Sequence, residues 1–125
     1  MPLCNNGAII HAATIIGDGS ITTLASGNAY LGVGDSSTAF SASQTDLQAA
    51  TNKLRKLCTT VSRASGVLTF VCTYSTAEAN WAWEEVGCFN AASGATSMVA
   101  RKVQSLGTKT SASSWQLTYT ATVSA

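Results

Sequence analysis

Apolar positions along this chain recur mostly at a spacing of two. The clearest run is near the C-terminus, where Trp115, Leu117, Tyr119, Ala121 and Val123 alternate with Gln116, Thr118, Thr120 and Thr122. Alternation of this kind sends successive side chains to opposite faces of a half-buried β-strand. Residues 58–63 and 67–74 flank Ala64-Ser65-Gly66, a hairpin signal with Gly placed to take a left-handed backbone. Within 67–74, Leu68, Phe70, Cys72 and Tyr74 alternate with Val67, Thr69, Val71 and Thr73, so both faces are candidates for cover. Further strands are expected at 29–33, 81–89 and 97–106, divided by turns at 26–28, 90–96 and 107–113. Residues 7–16 (GAIIHAATII) are apolar and β-branched, and a turn at Gly17-Asp18-Gly19 leads into the short run 21–24; together they predict a strand pair.

The period changes once. Ser43 followed three residues later by Asp46 resembles a capping box with Asp in place of Glu. Leu47, Ala50, Leu54 and Leu57 then recur at three- and four-residue spacing, while Gln48, Asn52, Lys53, Arg55 and Lys56 take the other face. That spacing predicts one short amphipathic helix over residues 44–56, its C-terminal cations suited to the negative end of the helix dipole. The elements add up to an all-β chain: an antiparallel β-sandwich of seven or eight strands with one inserted helix. No repeat or linker composition divides it, so residues 1–125 are expected to form a single domain, with residues 1–6 as an N-terminal arm.

Composition narrows this further. The chain is 46% hydrophobic but only 10% charged, and 16 Ser and 17 Thr occupy the place that charge takes in an average domain. Such a balance excludes a long helical bundle, and the apolar fraction excludes a disordered chain. A net charge of +1 offers no basis for nucleic acid as a partner, which calls for clustered cations. All seven basic residues lie at or after Lys53, so residues 1–52 carry only Asp18, Asp35 and Asp46. No apolar run is long enough to cross a bilayer, so no membrane partner is expected. The N-terminus lacks the basic and apolar regions of a signal peptide, which predicts a protein kept in the cytosol until assembly or lysis.

Candidate chemistry is sparse. Cys4, Cys58, Cys72 and Cys88 are too dispersed for a zinc site, and four free, mostly buried thiols are the default. Cys58 and Cys72 alone are equidistant from Ser65 and can face each other across the hairpin, which leaves a disulfide between them open. His11 is the only histidine and sits in an apolar run, where a structural role is the ordinary one. Asp18 and Asp35 occupy Gly-rich turns, and Glu78 reads as a capping residue. Glu84 and Glu85, adjacent on a strand, face opposite ways and cannot act as an acid and base pair. No nucleophile elbow or phosphate loop is present. The expectation is therefore no enzyme, no metal and no cofactor. Trp81, Trp83 and Trp115 can be read as a sugar-binding platform, but Trp81 and Trp83 share a face and fill a sandwich core naturally. Arg101, Lys102 and Lys109 read equally as contacts for acidic partners or as solvated guards of a strand edge. Two segments of small uncharged residues are candidate assembly contacts: Met1, Pro2, Leu3, Cys4, Asn5 and Asn6 at the start, and Gly34, Asp35, Ser36 and Ser37 opening the polar loop 34–43.

From Tyr30 onward the residues carry a resemblance. LGVGDSSTAFSASQTDLQAATNKLRK, SGVLTFVCTYSTAEANWAWEEVGCFNAASGATSMVARKV and LGTKTSASSWQLTYTATV resemble a group of small virion proteins of tailed bacteriophages. Its hallmarks are an A-V-G-x-G start, a helix reading L-x-x-x-x-x-x-R, the series EAN…E-V-G-L-F-N-A-S-G-G-x-M-x-A-R, and a closing K-T-x-x-x-x-L-T-x-T-x-T strand. They correspond here to residues 31–35, 47–55, 78–101 and 109–122, about three-quarters of the chain, with Glu85-Val86-Gly87 to Phe89-Asn90 the most specific part. Cys88 stands where the group has Leu and Ala95 where a second Gly is common; the first 29 residues lie outside the likeness. A similar order of elements occurs where tail-collar fibres attach to the particle. The resemblance implies a virion component assembled in the host cytoplasm. The first expectation is a capsid decoration protein on the outer surface of the head, contacting the major capsid protein and copies of itself as a trimer. A small tail, baseplate or fibre-attachment protein is the alternative, and a carbohydrate-binding module using exposed Trp is the alternative from another class.

Overall fold

The computed structural model describes residues 1–123. One helix, α1 (Asn5–Ile15), is followed by seven strands: β1 (Tyr30–Gly34), β2 (Lys53–Leu57), β3 (Thr60–Ala64), β4 (Val67–Tyr74), β5 (Ala82–Phe89), β6 (Met98–Thr108) and β7 (Trp115–Thr122). They form two antiparallel sheets, one four-stranded in the order β2-β1-β5-β6 and one three-stranded in the order β3-β4-β7. This is a sandwich-like all-β fold, as the period-two runs predict.

Core residues come from both sheets. Leu31 and Val33 of β1 and Trp83, Val86 and Cys88 of β5 pack with Phe70, Cys72 and Tyr74 of β4. The alternation in 67–74 therefore buries one row in this layer. Trp83 stands edge-on to both Tyr74 and Trp115, with ring centroids 5.0 Å apart in each pair. Edge-to-face geometry sets the positive rim of one ring against the negative face of the next. The Tyr74 hydroxyl donates to the Leu31 carbonyl oxygen at 2.7 Å and so ties the two sheets together; burial pushes its phenol well above the ordinary value.

The helix lies elsewhere than the spacing predicts. Residues 44–52 are irregular and 53–57 are strand β2. The backbone N–H groups of Gln48 and Ala49 donate to the Glu85 carboxylate instead of to the carbonyls of a helical turn. Leu47 is buried with Phe89, Met98 and Cys4 on the outer face of the four-stranded sheet, and Leu54 pairs with Val33 inside it. The Ser43 hydroxyl meets Ser41 and not a helix N-terminus. Lys53, Arg55 and Lys56 lie on β2, where Lys53 and Arg55 pair with Asp46 and Lys56 pairs with Glu78.

Residues 7–16, expected as a strand, supply most of α1. The segment is apolar at both odd and even positions, so it has no polar face to turn to water as a half-buried strand, and Ala8, Ala12 and Ala13 are strong helix formers. Gly7 permits close docking, since a Cβ there would stand 1.9 Å from the Val99 carbonyl oxygen. The turn read at 17–19 is the helix's C-cap. Gly17 has φ +68°, the Asp18 N–H donates to the Ala13 carbonyl oxygen and the Gly17 N–H to that of Thr14. That is a Schellman motif, which satisfies carbonyls the helix leaves over. Residues 21–24 form no strand; Ile21 and Leu24 pack against the core from a loop.

At the hairpin, Ala64 pairs with Val67, and the positive φ falls on Ser65, at 51°, not on Gly66. Gly66 is needed for space: a Cβ there would lie 2.4 Å from the Val123 carbonyl oxygen.

Candidate functional site

Two strands leave three glycines on the outer face of the four-stranded sheet or directly beside it. Gly32 of β1 pairs with Gly87 of β5, and Gly34 lies next to Glu85. Without side chains these positions make a floor. A Cβ on Gly32 or Gly87 would meet the Phe89 ring at 2.8 Å, and one on Gly34 would meet Glu85 Oε1 at 2.4 Å. Over the floor lie the Phe89 ring, the Arg55 guanidinium stacked 3.8 Å above its centre, and Leu47. A register shift between Trp83 and Glu85 lets β5 send Trp83 into the inter-sheet core and Glu85 to the outer face.

Glu85 and Arg101 are both wholly buried there. Arg101 Nε donates to Glu85 Oε2 at 2.7 Å, while Nη1 donates to Gln44 Oε1 at 3.0 Å and Nη2 to the Thr38 carbonyl oxygen at 2.9 Å. The other Glu85 bonds come from the Gln48 and Ala49 N–H groups at 2.9 and 2.8 Å. A buried ion pair is tolerated when its remaining donors and acceptors are satisfied, and here they are spent on residues 38–49. The pair clamps a long loop onto the sheet. Asp46 strengthens the clamp: burial pushes its carboxyl up, but bonds from Lys53, Arg55 and the Leu47 N–H outweigh this and hold it below its ordinary value.

The structure brings the two segments expected to make assembly contacts together. The Asn5 N–H donates to the Ala42 carbonyl oxygen at 2.8 Å. Residues 1–4 are laid along β6: Leu3 bridges Ala100, the Arg101 N–H donates to the Pro2 carbonyl oxygen, and the Cys4 N–H to that of Val99. Cys4 is buried with Leu47, Phe89 and Met98, Asn5 opens α1, and the Asn6 side-chain amide donates to the Thr96 carbonyl oxygen. Met1 packs against the core from the edge. In this chain the expected arm is thus held on its own sheet. Gly34 is buried, Asp35 accepts a bond from the Asn52 side chain at 2.8 Å, the Ser36 hydroxyl bonds Thr38, and Ser37 is exposed. Cys58 and Cys72 have their sulfurs 3.1 Å apart, as thiols.

Arg101 was legible only as a contact or an edge guard, and so was Lys109. Both are buried; Lys109 Nζ donates to Asn80 Oδ1 at 2.7 Å, and of the three cations Lys102 alone is exposed. No local pattern marks this, because Glu85 and Arg101 become neighbours only through the pairing of β5 with β6. His11 lies on an exposed turn of α1, at the rim of an apolar cleft of about 340 Å³ between the helix and the core. Trp83 is a core residue, and Trp81 and Trp115 pack against the same cluster. Among the described residues no group of His, Cys, Asp or Glu is arranged to hold a metal ion, and no helix is long and apolar enough to cross a membrane.

The exposed side of α1 carries no Asp, Glu, Lys or Arg and presents bare isoleucines. Ile9 and Ile15, with Ile16 at the C-cap, are 62, 71 and 80% exposed. An apolar helix face of this kind is ordinarily covered. No protein-family model, curated protein or solved structure matches the chain.

Proposed function

We propose that this protein is a structural component of a tailed-bacteriophage virion, specifically a capsid decoration protein on the outside of the head that contacts the major capsid protein and copies of itself. The observation that carries this reading is the bare side of α1, where Ile9 and Ile15, with Ile16 at the C-cap, project from an element without Asp, Glu, Lys or Arg. Covering such a face on a particle releases water from apolar surface and desolvates no charge. The clamped loop beside it, hydroxyl-rich and anchored by Arg101, offers a second surface of the same low desolvation cost. The likeness of residues 31–35, 47–55, 78–101 and 109–122 to small phage virion proteins supplies the particle. A ligand that binds only the assembled shell stabilises it by mass action, repeated at every copy.

Heads lacking the protein, heated with and without added pure protein, test this. Added protein should raise the temperature at which the heads release DNA, and Ile15→Lys with Ile16→Lys should abolish the gain. Equal heat resistance with and without the protein overturns the head assignment. A copy number far below that of the major capsid protein on a stained gel of virions would point to the tail or baseplate instead.

A further inference from the structure

We propose that Cys58 and Cys72 are a dithiol site that a small two-electron oxidant of the peroxide class converts to a disulfide, stapling one sheet of the sandwich to the other. The sulfurs already lie 3.1 Å apart, with Cys72 Sγ also 3.2 Å from the Lys56 carbonyl oxygen. Their meeting is not a product of the hairpin ladder. That ladder begins at the Thr60–Val71 pair, and Cys58 precedes it, on the stretch where the chain leaves β2 in one sheet for β3 in the other. The Cys58 N–H donates to the Ala29 carbonyl oxygen at 2.9 Å, which holds this residue to the end of the four-stranded sheet. Cys72 is in β4 of the three-stranded sheet, with no solvent exposure. A bond between the two sulfurs therefore crosses the core.

The neighbouring thiols are differently placed. Cys88 lies in the same layer, where burial pushes its thiol up to about 12. Cys4 is on the outer face of the four-stranded sheet. Within the pair, Cys72 Sγ is the donor, toward Cys58 Sγ and the Lys56 carbonyl oxygen. Cys58, 6% exposed beside a wholly enclosed Cys72, is the route by which a small oxidant enters.

The steps balance. One thiol of the pair, as its thiolate, attacks one oxygen of hydrogen peroxide, the O–O bond breaks, and a sulfenic acid forms as hydroxide leaves. The second sulfur then attacks the first; the S–O bond breaks and the hydroxyl departs with the second thiol's proton as water. The first hydroxide takes up the proton that the attacking thiol lost. Two thiols give up two electrons and two protons, and one peroxide becomes two waters.

The test is peroxide treatment of the folded protein, then alkylation in denaturant and peptide mapping. A peptide linking Cys58 to Cys72 is expected, with two of the four thiols protected from alkylation. Tm should rise by roughly 5–10 °C and return on adding dithiothreitol. Cys58→Ser and Cys72→Ser should each abolish link and shift, while Cys88→Ser should keep both. Four alkylated thiols after treatment, a link through Cys88, or a Cys58–Cys72 link that leaves Tm unchanged would each overturn the proposal.

Discussion

Glu85 Oε2 and Arg101 Nε lie 2.7 Å apart with neither side chain exposed to solvent. Each partner also holds the loop that covers it: Glu85 through the Gln48 and Ala49 N–H groups, Arg101 through Gln44 and Thr38. Removing one charge strands the other in the interior, which costs about 3–5 kcal/mol. Arg101→Met should lower stability by that amount in urea unfolding, and so should Glu85→Gln to a lesser degree. The double substitution should cost less than the sum of the two, because no unpaired charge remains. Cleavage by added protease should move to residues 38–49 in both single variants while β4 and β7 stay protected.

Phe89 depends on two glycines. A methyl group on Gly87 would stand 2.8 Å from the ring and 3.2 Å from Leu47, and one on Gly32 would stand 2.8 Å from the same ring. Gly87→Ala should therefore destabilise by about 1–3 kcal/mol through overpacking. Phe89→Leu in the same chain should relieve part of that cost, so the two changes, measured in a double-mutant cycle, should couple favourably.

Acid should loosen the contact between Glu78 and β2. Two bonds from Lys56 Nζ, at 2.8 and 2.7 Å, and one from the Ser75 N–H hold the Glu78 carboxyl at about 2, below its ordinary 4.5. A carboxyl lowered on folding binds protons more readily in the unfolded chain. Its contribution is complete above the ordinary value and is lost as pH falls from 4.5 toward 2. Asp46 is shifted the same way and adds to the trend. The urea midpoint should fall across this window, and Glu78→Gln should flatten the fall.

The two sides of α1 should respond differently to substitution. Ile10 is buried, and Ile10→Ala should cost about 2–5 kcal/mol. Ile16 is 80% exposed, and Ile16→Lys should leave the urea midpoint of the isolated protein within about 0.5 kcal/mol of the original. Equal losses at both positions would mean that the helix is turned differently on the sheet.

The period-two runs determined the β-content. Residues 67–74 and 115–122 are strands whose apolar rows point into the layer between the sheets, and the turn at Gly17 was legible because few residues adopt a left-handed backbone easily, whereas at the hairpin the left-handed residue is Ser65 and not the expected Gly66. Local pattern did not decide which apolar segment becomes the helix. Residues 44–56 carry helical spacing, but the Glu85 carboxylate satisfies their backbone donors and Leu47 is drawn onto the glycine floor, so the tertiary bonds win. Residues 7–16 carry no two-faced pattern at all, and docking through Gly7 on Val99 fixes them as α1. The candidate site was legible only as segments. That residues 1–6 and 34–43 meet, at Asn5 and Ala42, follows from how the chain folds back along β6. The Glu85–Arg101 pair was hidden for the same reason. A charged residue in sequence reads as surface, and only the antiparallel register of β5 and β6, with Gly87 opposite Arg101, puts these two side chains on one covered face.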